Sequence, residues 1–182
     1  VSFENTCDRF NRAKVHVSGN PVRKEILALA ATPKAIGAPA EKNKRFRVLI
    51  LGGSQGAHRI NLAVKEALAL LTEKDRYYFV HQTGAQDEAE LKKAYQETGV
   101  DGMAAAFFDD MAQQYRQADL IVCRAGATTM AEISVAAKGV IFIPFPYAAD
   151  NHQEFNARAL SEAGAAELLL QKDLDGRRLA QR

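Results

Sequence analysis

Phe46-Arg-Val-Leu-Ile-Leu51 runs straight into Gly52-Gly-Ser-Gln-Gly56, and a helical pattern follows from about Ala57 to Leu71. The first stretch is apolar apart from Arg47, as expected of a strand covered on both faces of a parallel sheet. The glycines let the backbone approach a ligand closely, and the free N–H groups at the start of the next helix favour an anion. Ser54 adds a hydroxyl donor beside Gln55. The loop is not G-x-G-x-x-G and lacks the Lys-Ser/Thr of a P-loop, so neither a dinucleotide nor ATP is its natural ligand. A tight strand-to-helix turn without a ligand has the same composition, and the loop alone leaves both readings open.

The same alternation continues on either side. Strands are expected at Tyr77–His81, Ala104–Phe108, Leu120–Cys123, Val140–Ile143 and Ala166–Leu170. Helices are expected over Gln86–Gln96, Asp110–Ala118, Thr128–Ala137 and His152–Ala163. Lys14-Val-His-Val-Ser18 reads as an earlier strand leading into the turn Gly19-Asn-Pro-Val-Arg23, and Ala31–Ala40 reads as a loop. Short apolar strands joined by helices, with right-handed crossovers, give an α/β fold: a Rossmann-like, doubly wound parallel sheet.

Composition narrows the class. The 182 residues are 47% hydrophobic and 25% charged, with a net charge of +2, which suits a globular α/β domain. No apolar run approaches the roughly 20 residues that span a bilayer. No basic stripe with interleaved aromatics argues for nucleic acid. Cys7 and Cys123 have no metal-ligand spacing and read as reduced thiols, Cys123 as a small core residue. Without an initiator Met, and with Val1–Thr6 reading like a connection under way, the chain is expected to be part of a longer protein.

Ligands of a doubly wound sheet sit beyond the carboxyl ends of the strands. Three further loops fall there or beside it. Arg124-Ala-Gly-Ala-Thr-Thr-Met-Ala-Glu132 offers a second helix start, with Thr128 and Thr129 hydroxyls suited to phosphate. Glu132 is either a plain acid favouring the helix dipole or a paired acceptor for a ribose diol, and the company of the other loops favours the diol. Pro144–Asn156 presents Asp150, His152, Gln153 and Asn156, whose amides both donate and accept as sugar hydroxyls require, and helix capping by Asp150 or Asn151 is compatible with that. Arg23 in the first turn suits a bidentate diphosphate contact or a solvated surface position. His16 and His81 fall in expected strands and His58 at a helix start, none with a Ser or Cys partner that would support a hydrolytic triad.

Taken together and in this order, these segments resemble the MurG family, the N-acetylglucosaminyltransferases of peptidoglycan synthesis. The carriers are Ser2-Phe-Glu-Asn-Thr6, Gly19-Asn-Pro-Val-Arg23, Gly52-Gly-Ser-Gln-Gly-Ala57, Phe108-Asp-Asp-Met111, Arg124–Glu132, and Asp150-Asn-His-Gln153 with Asn156. The chain departs from the family at Thr128-Thr129 and at Ala136-Ala-Lys-Gly-Val140. The resemblance implies the carboxy-terminal, donor-binding half of a two-domain GT-B enzyme. Residues 1–18 would close the preceding domain, and residues 19–182 would bind the sugar nucleotide.

On that resemblance the enzyme transfers GlcNAc from UDP-GlcNAc, with inversion, to an undecaprenyl-linked muramoyl-peptide at the cytoplasmic face of the bacterial inner membrane. Arg23 and Ser54 would hold the diphosphate, with Gln55 beside them among the substrate-binding residues. The backbone of Phe108 would face the uracil. Ala127, Thr128, Thr129, Met130, Ala131 and Glu132 would line nucleotide and sugar, with Glu132 on the ribose, and Gln153 and Asn156 would read the GlcNAc hydroxyls. The general base and the membrane-facing surface belong to the amino-terminal half, and neither metal nor cofactor is expected. A UDP-GlcNAc epimerase, which shares the architecture, and a non-catalytic nucleotide-binding module are the alternatives.

Overall fold

The computed structural model describes residues 7–8, 10–31, 45–52 and 57–182. Six parallel strands form its single sheet: β1 (Phe46–Leu51), β2 (Tyr77–Gln82), β3 (Gly102–Ala105), β4 (Leu120–Cys123), β5 (Gly139–Phe142) and β6 (Glu167–Leu168). Their order is β3-β2-β1-β4-β5-β6. The chain therefore winds one way from β1 and the other way from β4. The helices between are α1 (Lys24–Ala30), α2 (His58–Leu70), α3 (Glu88–Thr98), α4 (Met111–Gln117), α5 (Ala127–Ala136), α6 (His152–Glu162) and α7 (Gly176–Ala180).

Period-two alternation divides the core into two layers. Val48, Ile50, Phe79 and Val122 pack with Ile60, Val64 and Leu68 of α2 and Leu91 of α3. Leu49, Leu51, Val80 and Ile121 pack with Ile26 of α1, Tyr115 of α4 and Ile133 of α5. Cys123 is 1% exposed in this second layer, a core residue as its sequence neighbours imply.

Four expected elements differ. Lys14–Ser18 is not a strand: Arg12–Lys14 forms a 3-10 turn capped by the Asn11 side chain, and residues 15–23 carry no regular structure. The Val15/Val17 alternation is that of a strand, but both edges of the sheet are taken by β3 and β6, with no pairing to this segment. The third strand begins and ends earlier than Ala104–Phe108. It opens on Gly102, where a Cβ would lie 2.9 Å from the Phe79 carbonyl oxygen, so a residue that punctuates the sequence is in fact a close-packed pairing position. The last strand shortens from Ala166–Leu170 to Glu167–Leu168, and α3 lies two residues further on than Gln86–Gln96, closed by left-handed Gly99. The Ala31–Ala40 loop lies, after Ala31, outside the described residues.

Candidate functional site

The winding reverses between β1 and β4, and a crevice opens beyond their carboxyl ends. Here a cleft of about 280 Å³ is lined by Arg23, Gly52, Gln82, Phe107, Thr129 and Glu132, among others. Its centre is a carboxylate. Glu132, 4% exposed in the second turn of α5, accepts from Arg23 Nε at 2.7 Å through Oε1 and from the other arm of the guanidinium at 3.0 Å through Oε2. Tyr115 Oη donates to Oε2 at 3.1 Å. The bond to Glu132 outweighs desolvation and holds Arg23 above its ordinary value. Burial pushes the Tyr115 phenol up, so it stays a donor. A carboxylate has about four acceptor positions; three are occupied, and one on Oε1 remains for a ligand hydroxyl.

Asn20 and Arg23, ahead of α1, are brought to the site through α5: Asn20 Nδ2 donates to the Ala127 carbonyl at 3.1 Å. The turn thus docks on the first residue of the helix whose N-terminus faces the cleft. Gly126 is the N-cap of α5, and no side chain caps it, which leaves its first N–H groups available to an anion.

Arg124 ties this helix entry to the loop after β5. Its guanidinium donates to the carbonyls of Ile143 and Pro144 at 3.0 and 3.1 Å and to Gln171 Oε1 at 2.7 Å, and it lies over the Phe145 ring at 5.5 Å. Burial lowers it to about 10, so it remains charged at neutral pH. The Phe145 N–H in turn donates to Gln153 Oε1 at 3.0 Å. The loop then passes through two left-handed residues, Asp150 (φ 50°) and Asn151 (φ 53°), into α6.

On the other face of the sheet a buried polar chain supports the strand ends. Asn61 Nδ2 donates to the Thr83 carbonyl and to Asp87 Oδ2, at 2.9 and 2.7 Å, so Oδ1 is left as the acceptor facing His81 Nε2 at 2.9 Å. His81 therefore carries its hydrogen on Nε2, and Nδ1 accepts from Tyr95 at 3.3 Å. Burial would raise Asp87, but its bonds from Asn61 and His58 prevail and hold it below the usual carboxylate range. Burial drives His81 down to about 3. The unfolded imidazole takes its proton near pH 6.5 whereas the folded one refuses it, so this contribution is complete above pH 6.5. It is lost as pH falls from there toward about 3, by up to about 1.4 kcal/mol per pH unit. Urea unfolding at pH 7 and pH 5 is expected to show that fall, with a shallower one in His81→Gln; equal slopes would assign the effect to other groups.

The profile of the glycosyltransferase family 28 C-terminal domain matches residues 47–182. The chain belongs to this family. Curated relatives of the family 28 domain extend the likeness over nearly all of the chain. The UDP-N-acetylglucosamine–N-acetylmuramyl-(pentapeptide) pyrophosphoryl-undecaprenol N-acetylglucosamine transferase of Geotalea uraniireducens is 45% identical over 99% of the chain and 49% of its own length. The transferase of the same name from Chromohalobacter salexigens is 47% identical over 94% of the chain and 47% of its own length. The crystal structure of Acinetobacter baumannii MurG superposes with a TM-score of 0.78, at 31% identity, over 99% of the chain and 48% of that protein. The chain spans about half the length of these relatives.

Of the expected site residues, the structure brings together Arg23, which precedes the matched domain, with Thr129 and Glu132. Ala127 and Ala131 share their helix, Thr128 is exposed, and Met130 turns into the core at 3% exposure. Gln153 and Asn156 stand on α6 outside the cleft lining. Asn151, the N-cap of α6, makes no capping bond; its amide donates to Glu154 instead. The Phe108 side chain is buried, and its N–H donates to Gln82 Oε1 at 3.2 Å. Ser54 and Gln55 lie outside the described residues. His16 is not in a strand, and His58 is half-exposed at the start of α2 with Nδ1 3.0 Å from Asp87. Tyr115 and Gln82 carry no motif of their own in the sequence, and Asn20 enters there only as part of the Gly19–Arg23 turn.

Among the described residues no helix is long and apolar enough to cross a membrane, and no group of three or more His, Cys, Asp or Glu is placed to hold a metal ion. A larger cavity of about 410 Å³ lies toward the amino ends of the strands, against Phe46, Tyr77, Leu120 and Leu179. Its walls are largely apolar and it sits at the end of the sheet opposite the switch-point crevice.

Proposed function

We propose that this chain is the donor-binding half of an inverting glycosyltransferase that moves GlcNAc from UDP-GlcNAc to an undecaprenyl-diphosphate-linked muramoyl-peptide in peptidoglycan synthesis. The observation that carries the reading is the buried Glu132 carboxylate, clamped by Arg23 and Tyr115 at the mouth of the switch-point cleft. Neighbouring ribose hydroxyls need a fixed acceptor, and Glu132 is held in one orientation by three donors. Similarity to curated transferases with UDP-N-acetylglucosamine in their names supports the choice of donor.

In this reading the bound diphosphate competes with Glu132 for Arg23. The Arg23 side chain is 49% exposed whereas that of Glu132 is 6%, so the arginine is the partner free to move. Its release opens acceptor positions on both carboxylate oxygens for the ribose diol, with Tyr115 still holding Oε2 in place, while the arginine charge passes to the phosphates. The N-terminus of α5 and the Gly52–Gly56 backbone add N–H donors to the departing UDP, stabilising the leaving group where charge develops. The base that takes the acceptor hydroxyl proton, and the contact with the membrane surface, belong to the rest of the full-length enzyme. Binding therefore precedes and does not require the partner half.

Calorimetric titration with UDP-GlcNAc, UDP and NAD tests this directly. The chain is expected to bind the first two, to ignore NAD and to transfer no sugar unaided. Indifference to both uridine nucleotides would defeat the assignment, and release of epimerised free sugar would replace it with the epimerase reading.

A further inference from the structure

Asn61 lies in the first turn of α2 and is 1% exposed. Its Nδ2 donates to the Thr83 carbonyl at 2.9 Å, and the carbonyl just before it, that of Gln82, accepts from the Gly52 N–H at 3.0 Å. Two consecutive carbonyls at the end of β2 therefore receive one donor from the end of β1 and one from the start of α2. Those donors stand on either side of residues 53–56 in the sequence. Thr83 is itself fixed to the next strand, since its N–H donates to the Ala105 carbonyl at 2.9 Å. The other bonds of the amide decide which end meets Thr83. Oδ1 faces His81 Nε2 at 2.9 Å, and Nδ2 also donates to Asp87 Oδ2 at 2.7 Å. A flipped amide would set its oxygen against the carboxylate and its NH2 against the imidazole N–H, so one orientation survives. An apolar side chain here, like those of Ile60, Val64 and Leu68 beside it, would serve packing alone. A fully paired polar network instead fixes one geometry, because each of its buried groups is costly to leave unpaired.

We infer that Asn61 is a positioning residue for the leaving group: by tying the first turn of α2 to the Thr83 carbonyl, it sets the start of that helix against the ends of β1 and β2 before a nucleotide arrives. This rests on the diphosphate reading argued above, in which backbone N–H groups ahead of α2 receive the phosphates. Asn61 acts through the helix and not by contact with the ligand. Its own N–H bonds back to the carbonyl of Ala57, the N-cap, at 3.0 Å, and no side chain caps the helix. The tie therefore holds α2 one turn in and leaves the N–H groups ahead of it to an anion. Donors aimed at developing charge are most effective when they need no reorganisation as the charge forms. A displacement of about 1 Å in such a site can lower a rate by about a hundredfold.

The experiment measures UDP and uridine binding, with urea stability, for wild type, Asn61→Asp and the double variant Asn61→Asp/Asp87→Asn. The single variant turns a carboxylate oxygen toward both the Thr83 carbonyl and the Asp87 carboxylate, which breaks the tie and sets two like charges together. In the double variant the amide at position 87 donates back to the carboxylate at position 61, and its oxygen still accepts from His58. His81 keeps its acceptor, so charge and packing are restored while the Thr83 carbonyl still lacks its donor. The double variant is expected to regain most of the lost stability, yet to bind UDP about tenfold more weakly than wild type, with uridine changed by less than about twofold. A merely structural Asn61 would regain UDP affinity together with stability. A double variant that binds UDP like wild type, or that loses UDP and uridine alike, overturns the inference and leaves the nucleotide site standing. Hydrogen exchange on the wild type decides the case if a variant fails to fold. The Ile60 and Asn61 amides, both bonded to the Ala57 carbonyl, are expected to be equally protected with and without UDP. Protection that appears only with UDP overturns the inference, because the ligand and not Asn61 then orders the helix start. Failure of wild type to bind UDP at all overturns the site reading itself and the inference with it.

Discussion

Arg124→Ala is expected to destabilise the protein by about 3 kcal/mol, enough to move the urea midpoint well outside experimental error. Its guanidinium joins three elements at once: the end of β4, the Ile143-Pro144 backbone after β5 and the Gln171 side chain. Truncation leaves two carbonyls and an amide oxygen without their donor, and each such group costs more than the bond itself contributes. It also removes the support beneath Phe145, whose N–H holds Gln153. Arg124→Lys keeps a charge but cannot span three acceptors set in different directions, because an ammonium lacks the planar fork. The lysine variant is therefore expected to fall between wild type and alanine in stability, and, if Gln153 reads the sugar as proposed, with a larger loss for UDP-GlcNAc than for UDP. Equal losses for the two ligands would place the loop away from the sugar.

Glu132→Gln is expected to weaken UDP binding by about 10- to 100-fold, the loss of charge-assisted bonds to the ribose hydroxyls. The amide keeps an acceptor for Tyr115 and nearly the same volume, so folding is disturbed less than in Glu132→Ala, which strands a buried phenol. The cause is isolated by pairing each protein with UDP and 2′,3′-dideoxy-UDP. Wild type is expected to lose affinity when the hydroxyls are removed, whereas Glu132→Gln distinguishes the two nucleotides little. A variant that discriminates as strongly as wild type would take Glu132 off the ribose and leave it as the partner that positions Arg23.

Much of this was legible in the sequence because the signals were local. Phe46–Leu51, Leu120–Cys123 and the helix after His152 are continuous patterns bounded by turn residues, and their positions stand within a residue or two. Strand order was accessible only as a class, since pairing partners are set by tertiary packing. The site was legible where chemistry followed a strand end, as at Arg23, Thr129 and Glu132. It was not legible where a residue's role depends on which face it presents. Tyr115 is spaced like a core aromatic and is one, but its hydroxyl reaches across to Glu132. Gln82 ends an apolar run, and only the sheet shows that its oxygen accepts from the Phe108 N–H. Lys14–Ser18 failed for the complementary reason: alternation describes a strand but cannot provide a neighbour.

The crystal structure of the chain with UDP-GlcNAc tests the account most directly. It is expected to place the ribose 2′- and 3′-hydroxyls on Glu132 and the diphosphate at the N-terminus of α5 and the Gly52–Gly56 loop, with Arg23 turned from the carboxylate to a phosphate. A sugar nucleotide bound elsewhere, or one seated in the cleft with its ribose away from Glu132, would contradict it.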